Sequence, residues 1–195
     1  LQIVKTIKSN IIIGIGLGLS AWVFNTGALS LLQEVGLFKE HFAIMENILS
    51  PLSEGNLFIS VLTVGIIAPF TEEFIFRGVI FKTLNKNISI LWTIIIQALF
   101  FGLFHGNLIQ GTYATLLGLV FGYITYKTRS LWPSVVMHMI NNTIAIISPF
   151  VLKNVPSTTI IFICFIIIGA LGLIISLYFI NKKNSKYEGI FVSIN

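Results

Sequence analysis

The chain has 195 residues, 55% of them hydrophobic and only 10% charged, with a mean hydropathy of +0.94. A water-soluble domain carries about 25% charged residues, so this composition describes an integral membrane protein. There is no aspartate, which excludes an aspartate-pair protease, and the one cysteine, Cys164, lies in an apolar run where it builds neither an internal disulfide nor a multi-thiolate metal site.

At roughly 20 apolar residues per crossing, hydropathy predicts six spans: Ile11–Leu32, Leu57–Phe81, Ile88–Phe104, Leu108–Tyr126, Leu131–Phe150 and Thr158–Ile180. Only helices and closed barrels satisfy the backbone inside lipid, and these runs are too continuously apolar for alternating barrel strands. The expected fold is all-α, a polytopic transmembrane helix bundle forming a single membrane domain over residues 1–195. Lys5 and Lys8 precede the first apolar run without a clear small-residue cleavage site, so that run reads as an uncleaved span. Within it, Gly14, Gly16 and Gly18 suit close helix approach. They follow no strand, so a dinucleotide-binding reading fails on context.

Residues 35–56 follow. Phe38, Phe42, Met45 and Leu49 recur at helical spacing, which predicts an amphipathic helix lying in the membrane interface and ending near Pro51.

The second span carries the residues least suited to lipid: Pro69-Phe70-Thr71-Glu72-Glu73-Phe74-Ile75-Phe76-Arg77-Gly78. A charge at mid-bilayer costs about 2.5–3.5 kcal/mol on insertion scales and marks an interior or functional position. Glu73 and Arg77 are spaced i,i+4 with the acid first, the favourable order for an intrahelical pair. Glu72 is rotated about 100° from Glu73, so one carboxylate is neutralised while its neighbour stays free. Pro69 is expected to kink or break the helix, leaving Thr71 to cap its second half.

The third span ends Phe101-Gly102-Leu103-Phe104-His105, with Phe101 and His105 on one face. In the fourth, Gly118 and Gly122 form a small-residue packing pair, and in the fifth His138 and Asn142 share a face at i,i+4. The lysine-rich tail from Asn181 reads as an anchor on the inner side.

Charge sets the orientation. With a cytoplasmic N-terminus, the inner segments hold nine cations (Lys5, Lys8, Lys82, Lys86, Lys127, Arg129, Lys182, Lys183 and Lys186) against two outer ones, Lys39 and Lys153. That is the positive-inside pattern, and it predicts a multi-pass protein of the cell membrane with both termini cytoplasmic. The net charge of +5 is therefore a topology signal, and no nucleic-acid partner is expected.

A bundle in which these faces converge gathers a free carboxylate, two imidazoles and an amide. A carboxylate hydrogen-bonded with a histidine deprotonates water as a general base, while a second histidine and an amide donate to the oxyanion of a tetrahedral intermediate. Glu72, His105 and His138 are equally the ligand types of a catalytic zinc site with an open water position. The residues alone leave both mechanisms open. Taken singly, each group also has a structural reading: an ion cluster for Glu72, Glu73 and Arg77, a helix end for His105, interhelical hydrogen bonds for His138 and Asn142. Asn141 and Gln97 have nothing to set them apart from such interhelical contacts.

Glu72-Glu73-x-x-x-Arg77, Phe101-x-x-x-His105 and His138-x-x-x-Asn142, in that order on hydrophobic segments, resemble the CPBP family of intramembrane proteases, which includes the CAAX-prenyl endopeptidases and the Abi proteins. The motifs fall within residues 57–150, the expected catalytic core. The resemblance implies an intramembrane endopeptidase in which Glu72 with His105 activates water, His138 and Asn142 stabilise the oxyanion, and Glu73, Arg77 and Phe101 support the site. It implies a peptide or lipidated protein as substrate. Members are described both as metalloproteases and as metal-independent glutamate enzymes, so zinc stays open, with the metal-independent form preferred. The alternative is a non-proteolytic bacteriocin-immunity or scaffold protein that retains the fold. A proton-coupled transporter stands third, weakened by one concentrated polar cluster and no paired inverted half. Oligomeric state has no signature in the sequence.

Counting about 1.5 Å per residue places Glu72 some 15–18 Å, and His105 about 26 Å, above the Lys82–Lys86 loop. Contact between them therefore requires helix tilt, a kink at Pro69, or a later start to the third helix.

Overall fold

A computed structural model describes residues 8–184; Lys5 and Lys186 lie outside the described residues. Among those described there is no strand, and seven helices follow in order: α1 (Lys8–Glu34), α2 (Lys39–Glu54), α3 (Leu57–Leu84), α4 (Ile90–Phe104), α5 (Leu108–Thr128), α6 (Trp132–Val151) and α7 (Thr159–Asn184). The protein is an all-helical transmembrane bundle. Helices α1, α3, α5, α6 and α7 are long and apolar enough to cross a membrane. Helix α4 is apolar but has only 15 residues, a length of about 22 Å against a hydrocarbon core of about 30 Å.

Two prolines behave differently from expectation. Helix α2 runs through Pro51 to Glu54 instead of ending near it. Ser50 Oγ donates to Asn47 O at 3.2 Å, the carbonyl that a residue 51 with an N–H would have used. In α3, Pro69 neither breaks the helix nor is followed by a cap. The chain stays helical from Leu57 to Leu84, with π-helical stretches at Val61–Ile67 and Phe74–Ile80 on either side of an α-helical turn, Ala68–Glu73. Thr71 Oγ1 bonds back to Ile67 O and Ala68 O, as a mid-helix threonine does. Of the expected kink or break, the break is absent, as is the cap: the helix is continuous, and carbonyls next to the donor that Pro69 lacks find partners on another helix.

Glycines set the helix spacings. A Cβ at Gly14 would lie 2.7 Å from Pro133 O and one at Gly18 2.6 Å from Met137 O, so α1 and α6 touch backbone to backbone. Gly118 lies against Ala98 across the α4–α5 hairpin, the packing role expected of it. Helices α3 and α6 run antiparallel along their length, with Gly65 beside Thr143 at one level and Gly78 beside Leu131 at another. The buried core of the bundle includes Leu17, Ala21, Phe76, Phe101, Phe121 and Met137.

The helix ends sort by charge. Asn10 and Asn184 exchange reciprocal amide hydrogen bonds at 3.3 Å, and Tyr123 OH donates to Asn181 Oδ1. Together with the Gly14–Pro133 and Gly78–Leu131 contacts, these bonds gather the start of α1, the ends of α3, α5 and α7 and the start of α6. Lys8, Lys82, Lys127, Arg129, Lys182 and Lys183 thus share one end of the bundle.

Candidate active site

Glu73 and Arg77 lie one turn apart on α3, and both side chains are completely buried. Arg77 Nη1 donates to Glu73 Oε1 at 2.9 Å. Its Nη2 reaches across to Gly118 O of α5 at 3.3 Å. The guanidinium carbon lies 4.4 Å from the centroid of Phe101 and 4.8 Å from that of Phe121. A desolvated cation over aromatic faces gains on the order of 2 kcal/mol, so a carboxylate, a carbonyl and two rings together hold this charge within the bundle. The expected i,i+4 pair is present, and it ties α3 to α4 and α5.

His138, on α6, is the next layer. Its Nδ1 lies 3.0 Å from Glu73 Oε1. An ionised carboxylate only accepts, so Nδ1–H donates, and in the neutral ring Nε2 carries the lone pair. That Nε2 lies 3.9 Å from Glu72 Oε2, too far for a hydrogen bond and within the span that one water bridges. The imidazole stacks on Phe121 (centroids 4.9 Å apart) and meets Phe101 edge-on at 5.6 Å. One carboxylate therefore anchors the ring and the other faces its free nitrogen. Glu72 is 18% exposed where Glu73 is fully buried, and Glu72 Oε2 has no hydrogen-bond partner among the described residues. The free carboxylate is the one expected.

His105 terminates α4. Gly106, at φ +71°, turns the chain out of the helix in the left-handed conformation that glycine tolerates, and Asn107 caps α5 by accepting from Gln110 N at 2.8 Å. His105 Nδ1 lies 2.8 Å from Phe101 O; the carbonyl can only accept, so Nδ1–H donates and Nε2 is left available. Its ring packs edge-on against Phe101 at 5.0 Å. Helix α4 begins at Ile90, two residues later than expected, and the Phe76 ring bridges to both Phe101 and Phe104. A later start and large side chains thus close part of the height difference between Glu72 and His105.

Asn142 lies apart from this cluster. Its Nδ2 donates to Val64 O of α3 at 3.2 Å, and its Oδ1 accepts from Asn141. The structure thus brings together Glu72, Glu73, Arg77, Phe101, His105 and His138, and sets Asn142 one turn further along α6. Three contributors carried no distinguishing signal in the sequence. Phe121 stacks on His138, while Gly118 O accepts from both Arg77 Nη2 and Gln97 Nε2, the latter at 2.8 Å. Among the described residues no three His, Cys, Asp or Glu side chains are grouped to hold a metal ion, although the two histidines, each giving Nδ1–H to a protein acceptor, keep Nε2 open. The zinc arrangement of Glu72, His105 and His138 does not fit this geometry, and no step is derived through a metal.

Residues 54–144, just under half of the chain, match the family model described as "Type II CAAX prenyl endopeptidase Rce1-like". The matched segment contains all three motifs and is similar to that family. The resemblance to the CPBP intramembrane proteases therefore stands on the same segment that builds the site. Over 87 residues, 45% of this chain, the sequence is 28% identical to a Bacillus subtilis (strain 168) protein named "Putative membrane peptidase YdiL". The aligned stretch is 36% of that protein's length, so the chain spans little more than a third of the relative it matches. No solved structure matches the chain. With five helices long and apolar enough to cross a membrane, and a segment similar to a membrane peptidase family, the chain is a multi-pass membrane protein.

Proposed function

We propose that the protein is an intramembrane endopeptidase of the CAAX-protease type, which hydrolyses a peptide bond of a peptide or lipidated protein in or near the bilayer. One observation carries this reading: an unpartnered carboxylate, Glu72, faces an imidazole whose other nitrogen is fixed by the buried Glu73–Arg77 pair. A purely structural ion cluster has no use for a second, partly exposed carboxylate inside a membrane bundle.

The chemistry follows from the donors and acceptors. Glu72, assisted by His105 through its free Nε2, takes a proton from water as the water oxygen attacks the scissile carbonyl carbon. The negative charge moves to the carbonyl oxygen. In its imidazolium form, with Nδ1–H still on Glu73, His138 donates from Nε2 to that oxyanion. The resemblance adds Asn142 to this role, through the N–H that Val64 O does not occupy. Collapse of the intermediate breaks the C–N bond, and the proton held by Glu72 goes to the leaving amine. Residues 57–150 form the catalytic core of one membrane domain, 1–195, and its cationic end faces the cytoplasm, placing both termini there.

The test compares peptide N-termini in host membranes and medium, with wild-type protein and with Glu72→Gln at equal abundance. Products present only with wild type are the expected result, and they identify substrate and cleavage position together. Identical profiles would overturn the peptidase reading and favour the scaffold or immunity alternative.

A further inference from the structure

A proline inside a transmembrane helix leaves a carbonyl one turn earlier without its donor. In α3 the π-helical stretch Val61–Ile67 is followed by Ala68, whose N–H reaches back five residues to Thr63 O. Continuing that register, residue 69 would donate to Val64 O; in α-helical register it would donate to Gly65 O. Residue 69 is Pro, so neither bond can form.

Those two carbonyls are the ones that α6 reaches. Asn142 Nδ2 donates to Val64 O at 3.2 Å, and Thr143 Oγ1 donates to Gly65 O at 3.3 Å. The approach requires glycine: a Cβ at position 65 would lie 2.8 Å from Thr143 Oγ1 and 3.4 Å from Thr143 Cα. Pro69, Gly65, Asn142 and Thr143 are thus complementary. Proline opens the carbonyls, glycine admits the second helix, and two adjacent polar side chains close the bonds that lipid cannot supply.

We infer that Thr143, together with the Val64-bound N–H of Asn142, is a positioning residue that locks the register of α6 on α3 and thereby holds His138 at Glu73 and Glu72. Asn142 stands one turn beyond His138 on the same helix face, and Gly65 stands two turns before Glu73, so the stitch and the site share one antiparallel helix pair. Sliding α6 by one residue would move His138 about 1.5 Å along α3. The structural part of the inference is independent of the proposed peptidase activity; only its catalytic consequence rests on that reading.

A thermodynamic cycle tests it on the full-length protein in detergent micelles. Thr143→Val, which keeps the shape and removes the donor, lowers the unfolding midpoint by about 2–4 °C in the Pro69 background, the shift of a single lost hydrogen bond in a chain of this size. Thr143→Ser restores it. Pro69→Ala supplies the missing N–H, so Thr143→Val in that background costs less than half as much. Equal losses in both backgrounds, or no loss beside Pro69, would overturn the stitch.

Infrared spectra with 13C-labelled glycine carbonyls give a second readout that does not depend on the Pro69 variant folding. Thr143→Val should move one glycine carbonyl to higher frequency, and unchanged spectra would overturn the bond. Where cleavage is measured, Thr143→Val lowers kcat with KM unchanged and Thr143→Ser recovers it; unchanged kcat would overturn the positioning role. Absence of any cleavage by wild type, with the stability cycle intact, would instead remove the peptidase reading alone.

Discussion

His138 donates through Nδ1 to Glu73 at 3.0 Å, on the same oxygen that Arg77 holds at 2.9 Å. The shared oxygen helps join four helices, because Arg77 also binds Gly118 O on α5 and lies over Phe101 on α4. The two adjacent carboxylates therefore have separate jobs, and substitution separates them.

Glu72→Gln should abolish cleavage while the protein accumulates and melts as wild type does, because Glu72 makes no hydrogen bond among the described residues and is partly exposed. Glu73→Gln should lower stability as well, since it leaves the buried Arg77 guanidinium without a counter-charge. Breaking a buried pair costs about 3–5 kcal/mol. Arg77→Lys should recover only part of the loss seen in Arg77→Ala, because an ammonium cannot hold Glu73 and Gly118 O together or lie flat between Phe101 and Phe121. Melting curves beside a cleavage assay check the pattern. Equal stability of Glu72→Gln and Glu73→Gln would contradict the division of roles.

Substitutions at His138 distinguish anchoring from chemistry. A glutamine retains an amide N–H that can donate to Glu73, so His138→Gln should keep most of the stability and lose the activity. His138→Leu fills the space between Phe121 and Phe101 but leaves Glu73 short of a donor, at a cost of about 1–3 kcal/mol. Indistinguishable melting of the two variants would show that the Glu73–His138 bond does not contribute to stability.

Much of this site was legible because it is built from within-helix spacings. The i,i+4 relation of Glu73 and Arg77, the shared face of Phe101 and His105, and the rotation that leaves Glu72 free all follow from helical period. The unread parts depend on contacts between helices. Phe121 is one of many apolar residues on α5, and nothing local marks the ring that lies under His138. Pro69 reads as a break when only its own helix is considered, whereas Asn142 and Thr143 make the helix continuous. Asn142 was legible as a polar face-mate of His138, but its bond to Val64 O follows from the α3–α6 crossing. Gly106-Asn107 did carry a local signal, a glycine suited to a left-handed turn followed by a capping asparagine, that places His105 at the C-cap of its helix.

His138 and His105 each donate Nδ1–H to a protein acceptor and keep Nε2 open, but among the described residues no three His, Cys, Asp or Glu side chains are grouped to hold a metal ion. Treatment with a zinc chelator, followed by removal of the chelator complex, should leave cleavage unchanged. Loss of activity restored by zinc alone would require the two histidines and Glu72 to rearrange around the ion.

The site also depends on a helix that carries none of its polar groups. Helix α1 packs on the opposite side of α6, and Gly18 admits it: a Cβ there would sit 2.6 Å from Met137 O and 2.8 Å from Ile140 Cβ. Met137 and Ile140 flank His138 on the same helix. Gly18→Val therefore has to push α6 away from α1, toward α3 and the His138–Glu73 contact, and overpacking of this kind costs about 1–3 kcal/mol. At Gly16 the neighbour is the Ser176 hydroxyl of α7 at 3.4 Å, an ordinary contact that does not involve α6. Gly16→Ala should therefore leave both stability and cleavage close to wild type, while Gly18→Val lowers both. If Gly18→Val melts lower yet cleaves at the wild-type rate, α1 holds the fold together without setting the position of His138.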